Sequence, residues 1–396
     1  MLMDPDPDDH GDGQSPVDSS VTTSGDARGP EKGIALCLSG GGYRAMLFHA
    51  GSLRRLLDAG ILPHLKRISS VSGGSITSAK LGMHWNALAA SGFSPDRYDE
   101  WIVAPLRELA STTTDISAVL GGLLWFGTAN ERVQQAYRDH LYGAKTLQDL
   151  PSDDEGPRFV INASNVQTMA LWRFMRPYMA DYQVGRFMNP VVELAEAVAA
   201  SSAFPPILSP MDLHPDPATF DAASAGPLAK PPFTNQVVLT DGGVYDNLGL
   251  ETAWKRYQTV LVSDGGGKCD FEGKPARDWA RHAERIFEIT DNQVRSLRKR
   301  QIMDSIVAGD RRGAYWGIRE DIAKVGGPAA MDFPFARSLP LAMLGTRLAS
   351  IDPDSQTALL NWGYAICDAA LTRFYSPFSK QQDGFTLAPR AAAFPY

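Results

Sequence analysis

The stretch Ile34-Ala35-Leu36-Cys37-Leu38-Ser39-Gly40-Gly41-Gly42-Tyr43-Arg44 is an apolar run that breaks into serine and three glycines. Residues Ala45 to Leu57 follow, with apolar side chains at Met46, Leu47, Leu53, Leu56 and Leu57, the spacing of one helical face. Gly60 closes that helix, a second short run Ile68 to Val71 leads into Gly73 and Gly74, and another helical stretch runs toward Trp85. Strand, loop, helix, strand, loop, helix is a βαβα unit. Parallel strands need helices over both faces, so the expected class is α/β, a mostly parallel sheet with helices on both sides.

The theme repeats at Phe159 to Ala163, Leu171 to Phe174, Val237 to Asp241 and Thr259 to Asp264, all read as strands. The last two run straight into Asp-Gly-Gly. Helices are expected after Thr128, with Glu131 three residues on, and after Asn189-Pro190. Residues 276 to 310 read as one or two amphipathic helices and 354 to 374 as another. Pro205 to Pro232 holds eight prolines and reads as a long connection of the kind that rims a site. The expected division is a disordered acidic tail over 1–31, one folded body over 32–375 with a helical C-terminal part, and an irregular tail over 376–396.

The chain has 396 residues and a formal net charge of −7. Seven aspartates (Asp4, Asp6, Asp8, Asp9, Asp12, Asp18, Asp26) against Arg28 give the first 30 residues −6, which leaves −1 for the rest. A nearly neutral body argues against a nucleic-acid binder. Three cysteines, Cys37, Cys269 and Cys367, cannot all pair and show no zinc spacing, which points to reduced thiols, a cytoplasmic setting and no metal. No basic-then-apolar leader follows Met1. The longest mostly apolar run, Ile116 to Ala129, is shorter than the ~20 residues of a membrane-spanning helix. It reads as buried core, or else as a patch for peripheral membrane contact. Arg295, Arg298, Lys299 and Arg300 would suit anionic headgroups or form a solvated helix face.

Three glycines between a strand and a helix N-terminus let backbone N–H groups converge, with the helix dipole behind them. Such a cradle holds a phosphate or the oxyanion of a tetrahedral intermediate. Gly40, Gly42 and Ala45 also fit a dinucleotide fingerprint, but that requires a carboxylate at the end of the second strand, and Ser69-Ser70-Val71-Ser72 stands there. A nicotinamide cofactor is therefore not expected. Ser70-Val71-Ser72-Gly73-Gly74 has the small residues of a sharp strand-to-helix turn that lifts one hydroxyl clear of the sheet, which makes Ser72 the candidate nucleophile. Ser70 stands where glycine is usual. A serine nucleophile needs a proton acceptor. Of the histidines only His214, in the proline-rich stretch, approximates a loop-borne base, so a carboxylate is the better candidate. Asp241, at the end of a strand read as parallel to that of Ser72, should emerge at the same sheet edge, with Asp264 as its competitor.

Gly40-Gly41-Gly42-Tyr43-Arg44, Ser70-Val71-Ser72-Gly73-Gly74 and Asp241-Gly242-Gly243, in that order, resemble the patatin-like phospholipases. Asn162-Ala163 and Ala200-Ser201-Ser202-Ala203-Phe204-Pro205 add to the likeness. The resemblance spans Gly33 to Leu250 and implies a three-layer α/β sandwich and a lipid acyl hydrolase working on phospholipid or related esters through a Ser–Asp dyad. It implies Ser72 as nucleophile, Asp241 as base, and the amides of Gly40, Gly41 and Gly42, with Gly73, as the oxyanion hole; no cofactor is implied. Arg44 would anchor a substrate phosphate or lock the loop. The alternative is a catalytically weak lipid- or partner-binding module on the same fold.

Overall fold

The computed structural model describes residues 30–114, 129–206, 208–267, 271–327, 330–346, 348–379 and 383–396. The acidic tail, nearly all of the apolar run from Ile116, the capping Thr128, and Cys269 lie outside them.

Among the described residues eleven strands form one mixed sheet: β1 Glu31–Leu38, β2 Leu65–Ser70, β3 Arg158–Asn165, β4 Ala170–Phe174, β5 Tyr178–Asp181, β6 Gly185–Met188, β7 Met211–Leu213, β8 Phe220–Asp221, β9 Val237–Asp241, β10 Tyr257–Asp264 and β11 Arg312–Gly317. They lie in the order β11-β10-β1-β2-β3-β4-β5-β6-β8, with β9 on β3 and β7 on β9. From β11 to β3 every pairing is parallel. From β3 outward the sheet turns antiparallel. The parallel strands are the long apolar runs because both of their faces are covered.

Helix α1, Gly42–Asp58, follows β1, and α2, Gly73–Met83, follows β2. Fifteen of the seventeen residues of α1 are buried, so this helix lies inside the molecule. The helix Pro353–Ala370 crosses it closely: a Cβ on Gly51 would overlap the Leu360 carbonyl, and one on Gly363 would overlap the Phe48 carbonyl. The Ser52 hydroxyl bonds both the Phe48 and Gly363 carbonyls at 3.1 Å. Large side chains elsewhere would separate these helices, and the glycine loop at the head of α1 would lose its backing.

Three expectations change. No helix begins at Asn189, whose φ is +48°; it begins at Leu194, with Glu193 as its cap residue. The connection Pro205 to Pro232 contains β7 and β8. The strand carrying Asp241 runs antiparallel to β3, not parallel as its apolar pattern was read. Residues 276 to 310 resolve into a single helix, Trp279–Ala308. The C-terminal residues lie against the body, with Tyr396 bonded to the Asn361 amide and to Asp99.

Candidate active site

β1 and β2 lie side by side, with Leu38 opposite Ser70, and their loops therefore meet at one edge of the sheet. Val71 and Gly74 donate to the Leu38 and Ser39 carbonyls, at 3.0 and 3.1 Å. A Cβ on Gly73 would overlap the Gly42 carbonyl, and one on Gly74 the Leu38 carbonyl, so both must be glycine for the loops to touch. Between them Ser72 adopts φ +49°, ψ −118°, a conformation that costs a non-glycine residue ~1–3 kcal/mol. The Ser72 amide donates to the Ser201 hydroxyl at 2.9 Å, and Ser201 is bonded in turn to the Ser75 hydroxyl at 2.9 Å. Ser70 is accommodated by the same network: its Oγ accepts from Ser75 at 3.1 Å and donates to the Val160 carbonyl at 3.3 Å.

Asp241 reaches this edge from the opposite direction. β3 extends beyond the end of β2, since Ser70 pairs with Ile161 while Ala163 pairs with Asp241. An antiparallel strand docked on that overhang ends beside the Ser72 elbow. The Asp241 amide donates to the Ala203 carbonyl at 2.9 Å, and its carbonyl accepts from the Ser164 hydroxyl at 2.8 Å. Its carboxylate accepts the Gly243 amide at 2.6 Å, and the Ser72 side chain lies near enough to act on its titration. Asp241 is only 3% exposed. Burial pushes its carboxyl up from 3.8 to about 7; the Gly243 and Ser72 hydrogen bonds oppose the rise, and the Asp291 carboxylate adds to it.

The glycine loop divides. The Gly40 amide already donates to the Asn247 carbonyl at 3.0 Å. Gly41 and Gly42 sit at φ +143° and +61° at the start of α1, where the first N–H groups have no acceptor within the helix. Among the described residues no backbone carbonyl accepts from the amides of Gly41, Gly42 or Gly73. Arg44 is buried and holds neighbouring loops: it donates to the carbonyls of Gly265 and Leu344 and to the Thr346 hydroxyl. These contacts are of the loop-locking kind.

Asp264 stands apart. Its carboxylate accepts from Arg295 at 2.8 and 3.0 Å, from the Tyr315 hydroxyl at 2.6 Å and from the Gly266 amide at 2.9 Å. Burial alone would raise this carboxyl, but Arg295 and Arg319 overcome it and hold it well below the usual carboxylate range. His49 is buried between Ser263 and the Ser39 carbonyl, and burial pushes it down to about 4. His214 is exposed, 3.3 Å from the Asn235 carbonyl. In the basic cluster, Arg295 is paired with Asp264, Arg298 with Glu251 and Lys299 with Glu320, while Arg300 is exposed. No cluster of His, Cys, Asp and Glu among the described residues could hold a metal ion, and no described helix is long and apolar enough to cross a membrane. Ser201, unassigned from the sequence, is fixed here by long-range contact; its place in a run of small residues before a proline was the available signal.

An elbow serine, a glycine loop at a helix N-terminus and a strand-end carboxylate thus meet at one edge of a mixed α/β sheet. The model of the patatin-like phospholipases matches residues 36–254, more than half of the chain, and the chain belongs to that family. Among curated proteins none matches the sequence. Among solved structures, human GIVD cytosolic phospholipase A2 is similar with a TM-score of 0.47 and 13% identity, over 86% of this chain and 62% of that one. VipD from Legionella pneumophila is similar with a TM-score of 0.36 and 14% identity, over 90% of this chain and 71% of that one. The chain thus spans less than two thirds of the phospholipase structure's length.

Proposed function

We propose that the protein is a lipid acyl hydrolase that cleaves carboxylic esters of phospholipids or related lipids through an acyl-Ser72 intermediate. The observation that carries this reading is Ser72, held at a strained elbow, beside a buried Asp241 whose carboxyl burial pushes up to about 7. A carboxylate with its ordinary value is a weak base for an alcohol, and burial without a cationic partner raises its basicity. Ser72 Oγ attacks the ester carbonyl carbon as its proton passes to Asp241. The oxyanion forms against the amides of Gly41, Gly42 and Gly73, each worth ~3–4 kcal/mol by analogy with other oxyanion holes. Gly40 supports the loop through Asn247. The leaving alcohol takes the proton from Asp241. Water then gives a proton to Asp241, attacks the acyl carbon and frees Ser72.

Trp279, Ile286 and Ile289 are exposed on the helix Trp279–Ala308, and Phe287 of that helix meets Phe204, beside the Asp241 segment, with ring centroids 5.8 Å apart. This apolar surface next to the site supports peripheral contact with a lipid layer. The buried, unpaired Cys37 and Cys367 support a reducing, cytoplasmic setting.

The test is hydrolysis of a short-chain p-nitrophenyl ester and of phospholipid vesicles by the wild type, Ser72→Ala and Asp241→Asn. Both variants should lose at least ~10³-fold in kcat/KM. Wild-type rates in either variant would refute the assignment. A wild-type protein that binds liposomes but resists a fluorophosphonate probe would instead be the binding module.

A further inference from the structure

Two buried hydroxyls beside the dyad are unaccounted for by the reaction above. Ser202 follows Ser201, whose Oγ holds the Ser72 amide, and precedes Ala203, whose carbonyl holds the Asp241 amide. It is 3% exposed, and its own Oγ has no hydrogen-bond partner of normal geometry among the described residues. The same is true of the Tyr137 hydroxyl, which is fully buried. The two hydroxyls lie within reach of each other without completing a well-directed bond, and the Tyr137 oxygen is close enough to feel the Asp241 charge.

The Tyr137 ring is fixed. Its helix, Ala129–Tyr137, is tied to the helix that carries Ser201 by the Asn130 amide, 3.2 Å from the Ala199 carbonyl. Its ring meets Tyr142 edge to face at 6.3 Å, and the Tyr142 hydroxyl donates to the Ile76 carbonyl of α2 at 2.9 Å. A buried hydroxyl left unmatched costs ~1–3 kcal/mol, so two held rigidly beside a reacting centre call for a ligand oxygen.

We propose that Tyr137 and Ser202 form the binding site for the oxygen of the departing alcohol and, after it leaves, for the oxygen of the water that cleaves the acyl-enzyme. The inference rests on the hydrolase reading. Deacylation retraces acylation with water in place of the alcohol, so one oxygen site serves both steps. In acylation the ester C–O bond breaks, its electron pair stays on the alcohol oxygen, and Asp241 supplies the proton. The Tyr137 hydroxyl donates a hydrogen bond to that oxygen as charge grows on it and keeps its own proton. Burial pushes the Tyr137 phenol far above its ordinary range, which keeps it a donor. Ser202 donates or accepts, as the alcohol or the water requires.

The experiment compares two esters of one acyl chain, a glycerol ester and a p-nitrophenyl ester, by kcat/KM, which reports steps through acylation. A nitrophenolate leaves without help; an alkoxide does not. Tyr137→Phe should lower kcat/KM for the glycerol ester ~10–100-fold and that for the p-nitrophenyl ester no more than ~2-fold, with Ser72 still labelled by a fluorophosphonate. Ser202→Ala should show the same split, and it carries the test alone if Tyr137→Phe fails to fold. Equal losses on both esters, or none on either, would overturn the proposal. A wild type that cleaves neither ester and resists the probe would instead remove the hydrolase reading beneath it.

Discussion

Asp241 and Asp264 both end an apolar strand and precede glycines, and both are buried to within 3% exposure, yet their surroundings drive them in opposite directions. Around Asp264 a guanidinium, a phenol and an amide converge on the carboxylate, and it stays charged. Around Asp241 the partners are an amide and one alcohol, and burial wins. A buried carboxylate is structural when its charge is fully matched and reactive when it is not.

The largest effect should come from abolishing the unmatched charge. Asp241→Asn should cost at least ~10³-fold in turnover of a p-nitrophenyl ester, whereas Asp264→Asn should leave the folded fraction active. An inactive Asp264→Asn in a correctly folded protein would break the distinction.

Stability should show the reverse. Removing the Asp264 charge leaves the buried Arg295 with only the Asp291 carboxylate, 4.0 Å away, so Asp264→Asn should lose ~3–5 kcal/mol in urea unfolding at pH 7. Asp241 works the other way. Its folded value, about 7, lies above its unfolded value of 3.8, so the unfolded chain loses its proton first as pH rises. A stability penalty grows from about pH 4 to about pH 7 and is complete above that, at most ~4 kcal/mol at ~1.36 kcal/mol per unit. Asp241→Asn should therefore raise the urea midpoint at pH 8 and change it little at pH 4. A midpoint lowered equally at both pH values would mean that the carboxylate is structural after all.

These strand ends also mark how far the sequence could be read. Val237 to Asp241 and Thr259 to Asp264 were legible as strands because both are continuous apolar runs ending in glycines, and the loops at Gly40 to Gly42 and at Ser72 were legible from local turn chemistry. The direction of β9 was not. It depends on the overhang of β3 past β2, a matter of register between distant segments. Nor did anything local distinguish the two aspartates, since Arg295 and Tyr315, which donate to Asp264, lie 31 and 51 residues away. β5 and β6 have four residues each, too short for a period to emerge, and Arg312–Gly317 interrupts its apolar positions with arginine and glycines. Arg44 was read as a phosphate anchor or a loop lock, and its loop partners at Gly265 and Thr346 are equally remote in sequence.

A smaller effect tests the elbow itself. Ser201→Ala leaves the buried Ser72 amide without its acceptor, a loss of ~1–3 kcal/mol, and should lower kcat about tenfold while KM stays near its wild-type value. An unchanged kcat would show that the elbow is held by its glycine contacts alone.

The rate at which a fluorophosphonate modifies Ser72, followed by peptide mass spectrometry from pH 5 to pH 9, addresses the unmatched carboxylate most directly. Labelling should fall on Ser72 and rise with pH through an inflection near 7, as Asp241 loses its proton. A rate that is flat across that range, or modification of a different serine, would contradict the account.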